Sequence, residues 1–358
     1  MPEAPSYDGR GLVNLMAEIE TRLTGSAAWT GLEESKLVPE GSTYVLVLFD
    51  GLGTAQLDHP DASLFRSTLA ATIEAPFPTT TSVSKATIAT GLPPSRHGLS
   101  SHLAWMEEVG QVVNTLKWVN LKGVHVDFDY PGLLPSPNLW QRLRTAGVEP
   151  IVVEPGPFSV SPLSRVLFRG ARFEGYWDQR EIVDATLDLA AQPGRLIVTY
   201  LPEVDFAGHV FGLESGEFAD AMKLVSDVWD RLLTRIPPDV VLLGTADHGL
   251  AGFSEKQKIL VRDAKYDRLR FGGDSRGVQM WGDPGLMEEL ASETGGILVD
   301  PGPLLGPDPT PAARSRVGEM VLIPPDDIAV IPKGFDKRLR SYHGGLSRAE
   351  VEIPLLVG

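Results

Sequence analysis

The sequence predicts an α/β fold: a doubly wound, mostly parallel central sheet with helices on both faces. Three observations predict it. Apolar runs of strand length alternate with segments of helical periodicity, the pattern of parallel pairing. Three of those runs end in acidic residues. Tyr44–Phe49 (YVLVLF) runs into Asp50-Gly51, Leu196–Leu201 (LIVTYL) into Pro202-Glu203-Val204-Asp205, and Val240–Gly244 (VVLLG) into Thr245-Ala246-Asp247-His248-Gly249. No repeat or low-complexity linker interrupts the 358 residues, so a single unit over 1–358 is expected.

The elements follow in order. Leu12–Leu23 has apolar residues at helical spacing, and Tyr44–Phe49 is the first strand. The turn Ala75–Ser82, rich in Pro, Thr and Ser, leads into a helical segment Val83–Thr90. Gly91-Leu92-Pro93-Pro94 ends it in the usual way, with Gly at the C-cap and Pro beyond. Short alternating pieces with Trp, Val and Thr fill about residues 99–135 and read as β-hairpins, an excursion at the sheet edge or over the site. Asn138–Ala146 is a helix with an Asn cap, and Pro150–Val153 a strand. Arg180–Ala191 and Phe218–Leu233 are helices, each preceding an acidic strand end. Residues 252–282 are β-like and Gly-rich, Pro284–Ser292 is a helix, Gly302–Pro311 a loop, and Val351–Val357 returns to the core.

Composition narrows the function. The formal net charge of −15 argues against broad binding to a nucleic-acid polymer or an anionic membrane. It leaves room for a small phosphorylated ligand, because bound cations invert the local field. The chain has no cysteine, which excludes disulfides, thiolate metal sites and cysteine nucleophiles. No apolar run approaches the ~20 residues of a membrane helix, and MPEAPSYDGRG lacks the basic start and apolar core of a signal peptide. A soluble, cytoplasmic protein is the expectation.

In open α/β sheets ligands bind beyond the carboxyl ends of the strands, and Asp and His gathered there are metal ligands. Asp205 and His209 are four residues apart and share a face if they lie on one helical turn. Asp247 and His248 are neighbours. On an extended chain they point to opposite sides, which suits two ions flanking the strand end. The Thr79-Thr80-Thr81 run precedes a helix, whose N-terminal amides favour developing negative charge on a hydroxyl. A divalent ion would lower that hydroxyl's pKa and make it a nucleophile. Ordinary capping is the alternative for these threonines. His59 reads as a solvated loop residue, His97 as a turn stabiliser and His125 as a strand residue.

Taken together, Phe49-Asp50-Gly51, Pro78-Thr79-Thr80-Thr81 leading to Thr90-Gly91-Leu92-Pro93, Arg96-His97-Gly98, Asp205-Phe206-Ala207-Gly208-His209, Asp247-His248-Gly249 and His343-Gly344 resemble the alkaline phosphatase superfamily, in its nucleotide pyrophosphatase/phosphodiesterase branch. The resemblance implies an alkaline-phosphatase-like catalytic domain with two divalent ions, zinc first, manganese or iron otherwise. One ion would be held by Asp205, His209 and His343. The other would be held by Asp50, Asp247, His248 and the nucleophile hydroxyl. The family nucleophile stands three residues after the Pro and ten before the Gly, and both counts give Thr81. Thr81 would attack phosphorus in line and pass through a phospho-threonine that water releases.

The implied activity is hydrolysis of a phosphodiester or nucleotide-type substrate. A phosphomonoesterase, a phosphonate hydrolase or a metal-dependent mutase is the alternative within the superfamily. A metal-binding protein without turnover is the alternative outside it. The sulfatase branch is set aside because its modified nucleophile usually starts as Cys. Two departures from the branch bear on the substrate. Ser82-Val83-Ser84 replaces the family's frequent Phe-Pro-Asn, whose aromatic helps to hold a nucleobase. The phosphate-contacting Asn of the family falls near His102, which makes His102 a candidate substrate contact. Trp105, Trp118 and Tyr130 are candidates for stacking, and Arg276 for an anion contact.

Overall fold

The computed structural model describes residues 3–128 and 132–358. Its central sheet has seven strands in the order Leu69–Glu74, Glu352–Val357, Val241–Ala246, Tyr44–Phe49, Arg195–Leu201, Glu149–Pro155 and Arg172–Tyr176. The five from Val241–Ala246 to Arg172–Tyr176 run parallel, and Glu352–Val357 is antiparallel to both of its neighbours. The three strands with acidic ends are adjacent at its centre. They are buried along their full length, which is why they read as continuous apolar runs rather than as alternation.

Helices Leu12–Thr24, Thr81–Thr90 and Leu139–Thr145 pack on one another, and Gly216–Arg235 packs on both Gln179–Ala190 and Glu203–Phe211. The largest core cluster lies between these helices and the sheet. Trp229 stands edge-on to Phe49 with ring centroids 5.9 Å apart, which joins the Gly216–Arg235 helix to the central strand.

The β-rich stretch after residue 99 does not stand alone. Leu103–Met106, Gln111–Asn114 and Val119–Asn120 form one end of a second seven-stranded sheet. Arg270–Asp274, Gly277–Trp281, Met320–Ile323 and Ile297–Val299 complete it, and all its pairings are antiparallel. A single pairing, Gly273 with Leu103, connects the two halves. The loop expected over Gly302–Pro311 is bracketed by short helices, Pro301–Leu304 and Pro311–Arg316.

Candidate active site

Strand register assembles the first acidic group. Phe49 lies opposite both Leu201 and Ala246, so Asp50 and Asp247 leave adjacent strands at the same level. The chain bends at Asp247 instead of continuing extended, and the amides of Gly51 and His248 both donate to Asp247 Oδ1, at 3.1 and 3.0 Å. The bend overturns the expectation that Asp247 and His248 flank the strand end on opposite sides. Both join Asp50 in one buried group, with ligand atoms within 4.8 Å of one another.

The second group comes from a helix and a loop. Helix Glu203–Phe211 starts straight after its strand, with the Asp205 amide donating to the Asp50 carbonyl at 3.0 Å. Gly51 is left-handed (φ 75°), and a Cβ there would stand 3.0 Å from Asp205 Cα, so the Asp50 turn closes on the helix only with glycine. One helical turn on, His209 Nε2 lies 3.1 Å from Asp205 Oδ1, as the four-residue spacing requires. His343 completes the group from the loop after Ser341–Tyr342. Its ring stacks on His248 with centroids 3.8 Å apart, so the two groups touch.

Thr81 is the first residue of helix Thr81–Thr90 and is half-buried, whereas Thr79 and Thr80 are buried. Its Oγ1 lies 3.2 Å from His248 Nε2. Thr79 is engaged otherwise. Its hydroxyl donates to the Gly345 carbonyl and accepts from the Gly344 amide, both at 3.0 Å, and its carbonyl accepts from His343 Nδ1 at 2.8 Å. The nucleophile turn and the His343 loop are thereby tied together across more than 260 residues of chain.

These residues suit cations. Asp50 Oδ1 and Asp247 Oδ2 are buried oxygens that accept no hydrogen bond, and Asp205 Oδ1 faces only the Nε2 atoms of His209 and His343, a costly arrangement unless something positive sits among them. Nδ1 of His209, His248 and His343 faces the carbonyls of Ser341, Gly249 and Thr79, at 2.7, 3.2 and 2.8 Å. A carbonyl only accepts, so Nδ1 of each ring carries a proton, and once the ring is neutral its Nε2 presents a lone pair to the cluster. The Tyr200 hydroxyl donates to Asp50 Oδ2, which turns Oδ1 inward.

Without ions the cluster is electrostatically tense. Burial, then the charges of Asp247 and Asp205, hold the Asp50 carboxyl well above its ordinary value. Burial also raises the Asp205 carboxyl, but the protonated His209 ring beside it outweighs burial and leaves Asp205 below the usual range, and Asp205 in turn raises His209. Burial, reinforced by His248 and His209, pushes His343 well down.

The cluster opens into a cavity of about 670 Å³. His102 lines it and is lowered to about 4, chiefly by burial, which keeps the ring neutral. Its Nε2 accepts from the Asn114 amide at 3.1 Å. Asn114, Lys85, Tyr200 and Asp274 also line the cavity, and the sequence did not single them out. Asn114 reaches the wall because its strand pairs with Leu103 in one of the expected hairpins, but nothing local says that this hairpin faces the cavity. Tyr200 lay hidden in an apolar strand run.

Arg276 corrects an expectation. It is buried outside the cavity lining, with its guanidinium donating to Glu350 and to the carbonyls of Pro325 and Ile328. Those bonds exhaust the directions an anion would need. Trp118 is buried and stacks on Phe128, and Trp105 lies beneath the Arg270 guanidinium, so neither lines the cavity. Tyr130 lies outside the described residues. His97 holds its turn as expected, with Nδ1 accepting from the Leu99 amide at 3.1 Å.

A mixed sheet between helices, with two Asp/His groups beside a helix-initiating threonine, defines a class of phosphoester-hydrolysing α/β proteins. The family model for type I phosphodiesterase / nucleotide pyrophosphatase matches residues 44–274, and the chain belongs to that family within the alkaline phosphatase superfamily. No curated protein matches the chain. Among solved structures, murine ectonucleotide pyrophosphatase/phosphodiesterase 5 is similar at 16% identity and TM-score 0.65, covering 87% of each chain. An inactive form of that protein in complex with AMP matches at 16% identity and TM-score 0.64, covering 88% of this chain and 87% of its own. Phosphonoacetate hydrolase from Sinorhizobium meliloti, in complex with phosphonoformate, matches at 17% identity and TM-score 0.66, covering 89% of this chain and 91% of its own. Among the described residues no helix is long and apolar enough to cross a membrane.

Proposed function

We propose that the chain is a two-metal phosphodiesterase that cleaves a nucleotide-type ester through Thr81. Asp205, His209 and His343 hold one ion. Asp50, Asp247, His248 and the Thr81 hydroxyl hold the other. Zinc suits this mixture of imidazole and carboxylate, and manganese or iron fits the same donors. Bound ions supply the positive charge that lowers the threonine hydroxyl's pKa and neutralises phosphoryl oxygens.

The remaining chemistry belongs to the chain. Thr81 Oγ gives up its proton to solvent and attacks phosphorus, and the opposite P–O bond breaks, its oxygen taking a proton from solvent to leave as the alcohol. Water then attacks the phospho-threonine phosphorus and returns Oγ. The amides at the start of helix Thr81–Thr90 face the same charge. His102, neutral and paired with Asn114, marks the wall against which a phosphoryl oxygen rests. Phe158, Leu163 and Phe206 line an apolar side of the cavity that suits a base or other flat group.

One observation carries the reading: two carboxylate oxygens free of hydrogen bonds, a third faced by imidazole nitrogens alone, and three imidazole Nε2 atoms gather beside the Thr81 hydroxyl. The family match and the AMP-bound neighbour support the substrate class. Thr81→Ala tests it. The variant should keep two ions per chain by elemental analysis and lose at least about 100-fold in turnover of bis(4-nitrophenyl) phosphate. Unchanged turnover would remove Thr81 from the mechanism. Phosphonate cleavage is the second reading, favoured by the likeness to phosphonoacetate hydrolase. Faster release of phosphate from phosphonoacetate than of nitrophenol from the diester would establish it instead.

A further inference from the structure

The segment Lys333–Arg340 carries four of the chain's basic residues, in a protein whose formal net charge is −15. None of them enters the mechanism above. Lys258–Leu260 pairs in parallel with Ala329–Ile331, with Leu260 opposite Ile331. The two chains therefore leave this ladder side by side, and Arg262 and Lys333 emerge at one level. With Lys337 and Arg338 they line a groove of about 500 Å³, floored by Val261, Ile331 and Phe335.

The groove adjoins the catalytic cavity, for Gly334, Phe335 and Asp336 line both. Two of its cations are already paired. Lys333 binds Asp267, and Arg338 holds Asp336 through two bonds of 2.9 and 2.6 Å. Arg262 and Lys337 are exposed and make no ion pair within 4 Å among the described residues, although Lys337 acts on the Glu255 carboxylate from further off. Lys117 extends the positive character inward, since it lines the cavity and acts on the Asp336 carboxylate. In so acidic a chain, unpaired cations in a concave surface beside a phosphoryl site raise the local concentration of anions.

We propose that this groove is a subsite for a second anionic group of the substrate, a phosphate or carboxylate beyond the bond that is cleaved. The proposal rests on the cavity being the catalytic centre. It makes the preferred substrate a polyanion rather than a simple diester, with Arg262 and Lys337 as the contacts that tell the two apart. Both residues stand outside the catalytic set, so altering them should leave the chemistry of a small diester intact.

The test uses metal-loaded protein and the charge-reversed double variant Arg262→Glu/Lys337→Glu. Phosphate, pyrophosphate and tripolyphosphate are compared as inhibitors of bis(4-nitrophenyl) phosphate hydrolysis at buffered free metal. In the parent protein inhibition should be competitive and should tighten about ten-fold from phosphate to tripolyphosphate. The double variant should lose that gain while kcat/KM for the diester stays within about two-fold. Chelation by tripolyphosphate affects both proteins equally, so the difference between them reports the groove. An identical inhibitor series in both proteins overturns the proposal. Non-competitive inhibition also overturns it, because the groove would then be a separate anion site. If the parent protein does not turn over the diester, the phosphodiesterase reading fails on its own. Calorimetric titration of tripolyphosphate into both metal-loaded proteins then decides the groove: about ten-fold weaker binding by the variant supports it, and equal binding rejects it.

Discussion

Thr79 shows how much one buried hydroxyl can organise. It joins the turn that presents Thr81 to the loop that presents His343 through three hydrogen bonds. Thr79→Val keeps the shape and removes the two hydroxyl bonds. The ion at the Asp205 group should fall in occupancy, while Thr79→Ser should restore it; elemental analysis of both variants reads the effect. Asp50 gives a pH dependence. Its folded carboxyl is raised, so in metal-free protein its contribution to stability is complete below the ordinary carboxylate range. That contribution disappears as pH rises through the raised value. Bound ions need the ionised form, so the gap in Tm between loaded and chelated protein should widen from acid towards neutral pH. A gap that stays constant would remove Asp50 from the metal set. The acidic strand ends and the Asp205/His209 pair were legible because strand ends and a four-residue helical spacing are local patterns, whereas His343, in a loop, entered only through the family resemblance. Arg276 was misread because a guanidinium's partners, here Glu350 and two carbonyls, come from distant chain.

At the scale of elements, helix Thr81–Thr90 is fixed from below. Lys85, one turn after Thr81, is buried against Glu154 of strand Glu149–Pro155 at 2.6 Å, with its ammonium 3.8 Å from the Tyr200 ring centroid. Removing one partner strands the other charge in the interior. Lys85→Met should therefore cost about 3–5 kcal/mol in chemical denaturation, and pairing it with Glu154→Leu should recover most of that. Helix Glu203–Phe211 depends on contact distance instead. A methyl at Gly208 would stand 2.8 Å from Leu250 Cδ1 and 3.2 Å from Ser341 Oγ. Gly208→Ala should push His209 off the Ser341 carbonyl and lower kcat/KM about ten-fold or more, measured with the diester. The central strands and long helices were readable from periodicity within a residue or two of their ends. The edge strands Leu69–Glu74 and Arg172–Tyr176 were not, because half-exposed edges carry little of the apolar signal.

Over the whole molecule, the proposed ligands come from five regions spread between Asp50 and His343. Ions bound there fasten the folded chain alone, which contributes about 4 kcal/mol when free ion is about a thousand times its Kd. Chelation should lower Tm sharply, and restoring the metal should reverse the loss. The second sheet was only partly legible. Its hairpins were visible, but nothing local says that residues near 103 pair with residues near 273, and that pairing forms the cavity wall carrying His102 and Asn114. The central claim is that two ions lie beside Thr81. Anomalous diffraction from metal-loaded crystals measures it directly. Two peaks are expected, one within bonding distance of Asp205, His209 and His343, the other of Asp50, Asp247, His248 and Thr81 Oγ1. A fully loaded crystal with no peak, or with its only peak away from these side chains, would contradict it.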